Sequence, residues 1–136
     1  MKKIVFFLMI ISTFLTSCSL DDEPKSEQVS IPVESVIIPS EWPLNQLGAI
    51  KVSYRRPTTC HLFNGFNYQY TDEFIRTVSI EAIKLNEDNC IDASSEIYEV
   101  ELQFKPTELG IYHFKFWSGI DESGNYTFLE YDVDVQ

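Results

Sequence analysis

From residue 31 onward, apolar and polar positions alternate in short runs separated by turn residues, the period-2 pattern of strands with one buried face. Seven strands are expected. Residues 33–38 lie between Pro32 and Pro39, which suits a sheet edge where a missing N–H does little harm. In 49–54, Ile50, Val52 and Tyr54 point one way and Lys51 and Ser53 the other. Residues 62–70 are rich in aromatics, with a bulge expected at Gly65. In 74–85, Val78, Ile80 and Ala82 oppose Thr77, Ser79 and Glu81; a helix is the alternative there, but the β-branched content favours a strand. Residues 97–104 present Tyr98, Val100, Leu102 and Phe104 on one face, and 111–117 do the same with Tyr112, Phe114 and Phe116. The last strand, 125–135, follows the turn Asp121-Glu122-Ser123-Gly124 and changes phase between Phe128 and Leu129, which implies a bulge or two covered faces.

A different pattern precedes this one. Lys2 and Lys3 lead into an almost wholly apolar run at 4–15, the form of a signal-peptide core, whereas a bilayer-spanning helix needs about 20 apolar residues. Residues 19–30 have little to bury and read as a flexible acidic tether. Between them, Leu15-Thr16-Ser17-Cys18 resembles the lipobox of bacterial lipoprotein precursors. That resemblance implies cleavage before Cys18, acylation of Cys18 and a lipid anchor in the cell envelope. It divides the chain into a signal peptide (1–17), lipidated cysteine and tether (18–30), and one domain (31–136). In the sorting pattern that goes with this resemblance, Ser19 in place of an aspartate after the cysteine implies no inner-membrane retention, and so an outer-membrane location, on its periplasmic or surface face. Ser19-Leu20-Asp21-Asp22-Glu23 is similar to the acidic export stretch of Bacteroidota surface lipoproteins, with a plain solvated linker as the other reading.

Loss of 1–17 leaves 119 of 136 residues, enough for one core. It also leaves eight basic residues against 21 acidic, a formal charge of −13. Such a surface repels nucleic acid, which is set aside as a partner. With Cys18 assigned to lipid, Cys60 and Cys90 remain in an exported chain, and a disulfide between them is the leading reading, two buried free thiols the other.

Glu108-Leu109-Gly110-Ile111-Tyr112-His113-Phe114 resembles the acid-x-Gly-x-Tyr-x-Cys segment of immunoglobulin-like domains, with Phe114 in place of the cysteine. The resemblance implies an all-β fold, a single immunoglobulin-like antiparallel sandwich of seven strands, with Tyr112 in the corner role. It implies nothing about activity.

Chemistry-bearing residues are sparse. Cys60-His61 invites a thiol nucleophile, but neighbours on a strand point to opposite faces, and His113 would have to serve as base. Cys60, Cys90, His61 and His113 have zinc-ligand types without zinc-ligand spacing. Asp121, Glu122 and Asn125, like 86–89, offer calcium-type oxygens outside any calcium-loop pattern. Asp72 and Glu73 adjoin each other, unlike two glycosidase carboxyls facing across a groove. No enzyme and no cofactor is expected. The stronger candidate is a binding surface: Trp117, His113 and Lys115 facing outward, with Tyr126 and Phe128 beside Trp117, able to stack a sugar or anchor a protein. Core packing with one exposed ring is the competing reading. Trp42 is a second candidate, or a cap over the end of the core. The expected class is a membrane-anchored envelope lipoprotein acting as a non-enzymatic binding module for a protein or polysaccharide. The alternative is an inhibitory, immunity-type protein that turns its acidic surface on a basic partner.

Overall fold

The computed structural model describes residues 25–136; the expected signal peptide, Cys18 and the stretch 19–23 lie outside the described residues. The described chain is all-β, two sheets packed face to face as the alternation requires. The strands are β1 (Ser26–Ile31), β2 (Val33–Ile37), β3 (Glu41–Trp42), β4 (Gly48–Arg55), β5 (His61–Tyr70), β6 (Ile75–Leu85), β7 (Ile97–Phe104), β8 (Gly110–Ile120) and β9 (Tyr126–Val135). All seven expected strands occur, and β1 and β3 are additions.

The smaller sheet, β2-β4-β7, is antiparallel throughout. In the larger sheet β6 is central. One of its edges carries β5, and the other is shared end to end by β8 along Ile75–Val78 and β1 along Ile80–Leu85. Beyond β8 come β9 and then β3. The all-antiparallel expectation is corrected here, since β6 runs parallel to β8 and β3 parallel to β9. The reason for the first is connectivity. The chain leaves β6 for β7 in the opposite sheet and then returns, reversing twice, so β8 re-enters in the direction of β6.

Ser26–Ser30, expected to belong to a flexible tether, are instead paired with β6. Apart from Val29, which packs against the core, their side chains bury little. The backbone ladder holds them, supplemented by side-chain pairs, Lys84 Nζ 2.6 Å from Glu27 and Gln28 donating to Glu81 at 2.6 Å. Gly119, at φ 128, carries β8 past Pro32, the residue that joins β1 to β2.

The inward faces are those read from the alternation. Ile50, Val52 and Tyr54 of β4 meet Val78, Ile80 and Ala82 of β6 and Tyr112, Phe114 and Phe116 of β8 in one core. Phe104 is its aromatic hub, edge-on to Trp42, Tyr112 and Phe114 at 5.0–5.3 Å. Tyr112 is held through its ring, which also meets Phe74 edge-on at 5.2 Å. The last strand keeps its phase and has both faces covered: Tyr126 and Phe128 line the outer face while Leu129, Tyr131, Val133 and Val135 pack in or against the core, and the register irregularity lies on β8, between Trp117 and Gly119. The bulge expected at Gly65 is present, with the shift between Phe63 and Gly65. Cys60 and Cys90 form a disulfide with Cα atoms 5.4 Å apart, tying the start of β5 to the loop after β6.

Candidate functional site

The outer face of the larger sheet carries a cleft of about 660 Å³. Its aromatic wall exists because β8 and β9 form a hairpin in which Trp117 lies opposite Phe128 and Ile120 opposite Tyr126. Trp117 and Tyr126 meet edge-on at 6.2 Å, and Tyr126 is 69% exposed. The rest of the lining is polar apart from Val29 and Ile120: Ser30 comes from β1, Asn67 and Gln69 from β5, Thr77 and Ser79 from β6. None of the residues lining this cleft is charged, in a chain with 21 acids.

Of the expected binding surface, Trp117, Tyr126 and Phe128 are therefore brought together. His113 and Lys115 are not part of the lining. They form the next row of β8, engaged with β9. His113 Nδ1 lies 2.6 Å from Asp132 and Nε2 2.8 Å from Glu130, while the Lys115 ammonium sits 4.7 Å from the Phe128 ring centre. The bonds to Asp132 first, then Glu130, raise the His113 pKa above its ordinary 6.5. A raised folded pKa stabilises fully below the unfolded value and ceases to do so as pH rises through the folded value. Stability of the wild-type chain should thus fall across the interval above 6.5, and His113→Gln should flatten that slope in urea titrations run at a series of pH values. An unchanged slope in the variant would show that the clamp contributes nothing.

Trp42 is not a surface candidate. It is 6% exposed, its indole donates to the Gln46 carbonyl at 2.9 Å, and Gly48 leaves room for its ring, since a Cβ there would lie 2.5 Å from it. It closes the core instead.

The residues named for calcium sit in the turn between β8 and β9. Asp121 Oδ1 accepts from the Ser123 and Asn125 amides at 2.8 and 2.9 Å, so its carboxylate holds its own turn, and those bonds lower its pKa. Among the described residues no group of three or more His, Cys, Asp or Glu could hold a metal. The zinc and thiol constellations dissolve for a simple reason: both cysteines are in the disulfide, and His61 Nδ1 is bonded to Thr58 at 2.9 Å. Asp72 turns back on the Glu73 amide at 2.7 Å, in the turn joining β5 to β6.

One residue escaped the sequence argument. Arg76 has the inward parity of Val78, Ile80 and Ala82 on β6, which was the available signal, and it is 6% exposed. It lines a second cleft, of about 460 Å³, at the open seam between β5 and β7. Tyr68 shares that cleft, and burial pushes its hydroxyl up to about 12, so it stays protonated as a donor.

No protein-family model matches the chain, and comparison with curated proteins and with solved structures gives no match.

Proposed function

We propose that this protein is a lipid-anchored cell-envelope lipoprotein whose sandwich domain binds a neutral glycan in the Trp117 cleft. The observation that carries the reading is the lining of that cleft, three aromatic rings facing amides and hydroxyls without a single charge. Aromatic faces pack against the apolar faces of sugar rings, and Asn, Gln, Thr and Ser pair with sugar hydroxyls in either direction. These side chains hold a ligand; at neutral pH none of them is a general acid or base. The inhibitory alternative has less support, because the acids are spread over β7 (Glu99, Glu101), β9 (Glu130, Asp132, Asp134) and the loops instead of massed at one edge.

The envelope anchor rests on the lipobox resemblance at 15–18. Palmitate-analogue labelling should disappear in Cys18→Ala, and labelling that persists would remove the anchor from the proposal. For the cleft, neutral polysaccharides should bind the full-length chain, and Trp117→Ala should weaken the best of them by about tenfold or more; since Trp117 is half-buried, Tyr126→Ala, at a ring 69% exposed, is the companion variant that should weaken binding with the melting temperature nearly unchanged. Equal binding by the variants, or capture of a protein and no glycan, would overturn it.

A further inference from the structure

A buried arginine in a protein with 21 acids ordinarily finds a carboxylate, because an unpaired buried charge is costly. Arg76 finds none: no ion pair among the described residues involves it. Its Nη1 donates to the carbonyls of Asp72, Glu73 and Ile75 at 3.1, 2.9 and 3.2 Å, which pins one edge of the guanidinium to the turn between β5 and β6. Its Nε has no acceptor. The rings of Tyr70 and Tyr112 lie 4.4 and 5.0 Å from the guanidinium carbon and keep its plane in place without neutralising it.

A strut for the turn would account for Nη1 alone. It leaves unexplained why the guanidinium lines an open cleft, why Lys105 joins it there, and why no acidic side chain is among the lining residues. The cleft also offers the Tyr68 hydroxyl, Gln103 and Thr107, groups that pair with hydroxyls as readily as with charge.

We infer that the seam between β5 and β7 is a second binding site, for a hydroxylated carboxylate of uronic-acid size, with Arg76 as the fixed anchor for the carboxylate and Lys105 as its outer partner. With Nη1 committed to the turn, the guanidinium is oriented before any ligand arrives, and it is the other terminal nitrogen, Nη2, that would meet a carboxylate oxygen. The volume of about 460 Å³ holds one sugar-sized unit. The site is independent of the Trp117 cleft. Side chains alternate along β5, so Tyr68 and Tyr70 face this seam while Asn67 and Gln69 face the other cleft.

The test is a calorimetric titration of the full-length chain with galacturonate, glucuronate, the two neutral parent sugars and inorganic phosphate. A uronate should bind about tenfold or more tightly than its neutral parent, more weakly as salt is added, and more tightly than phosphate. Arg76→Gln should abolish that preference. Because this change could also loosen the turn, Lys105→Gln provides the second variant: it lies on the exposed rim, and should weaken uronate binding several-fold at an unchanged melting temperature. Equal affinity for uronate and neutral sugar, tighter binding of phosphate, or full uronate affinity in Lys105→Gln would each overturn the inference.

Discussion

Replacing Phe114 by alanine will lower the unfolding free energy by about 3–5 kcal/mol, the usual cost of emptying a fully buried phenylalanine site. The ring has no exposed surface, stands edge-on to Phe104 at 5.0 Å and stacks with Phe116 at 5.9 Å. Its strand is fixed on both sides, by β6 and β9, so the backbone has little freedom to close the void. Against a typical total of about 5–15 kcal/mol, such a loss would leave the domain near its folding threshold. Urea denaturation followed by tryptophan fluorescence should show a lower midpoint with an unchanged slope. Phe63→Ala is the comparison, since that ring is 40% exposed and should cost far less. Equal losses at the two sites would contradict the packing described for β8.

The second large effect belongs to the disulfide. Converting Cys60 and Cys90 to serine opens a 30-residue loop in the unfolded chain, which the chain-entropy argument values at about 3–4 kcal/mol. Beyond the bridge, the loop between β6 and β7 is held to the segment before β5 by the bridge pair Thr58 and Asp92, the Thr59 amide on the Ile91 carbonyl at 2.8 Å, the return bond from the Ile91 amide to the Thr59 hydroxyl and the Ala93 amide on the Pro57 carbonyl at 3.3 Å, with Arg55 of β4 donating to the Ser94 and Ser95 carbonyls. The double variant should melt well below the wild type, and a reducing agent should lower the wild-type melt towards that of the variant. Limited proteolysis should then cut first within 86–96. A variant melting with the wild type would show that the bridge constrains nothing the ladders do not already fix.

The sandwich was legible where burial is one-sided. On β4, β6 and β8 the alternation of Ile50, Val78 or Phe114 with polar neighbours states both the strand and its inward face. Ser26–Ser30 carries no such statement, because its place depends on pairing with the outer half of β6, and a ladder leaves no trace in composition. The two residues of β3 are too few to show any period. Parallel contact between β6 and β8 was hidden for another reason: it follows from which sheet β7 joins, a long-range choice. For the site, the outward parity of Trp117 and the neighbouring Tyr126 and Phe128 could be read directly. Asn67, Gln69, Thr77 and Ser79 could not, since only the β5–β6 hairpin brings them opposite the rings. Arg76 was readable by parity, but a single cation at a core position gains meaning only when its missing carboxylate can be seen.

The placement of β1 bears on how the domain withstands force. A pull applied at Ser26 runs along a strand whose six partners on β6, from Leu85 to Ile80, must slide together. Loaded in shear, these pairs resist as a set, whereas a hairpin peeled from its end would give way one rung at a time. Immediately after them, Ile31 and Val33 plug into the core on either side of Pro32, so a strand that slipped would have to draw two buried side chains out with it. Strand β1 thus acts as a mechanical clamp.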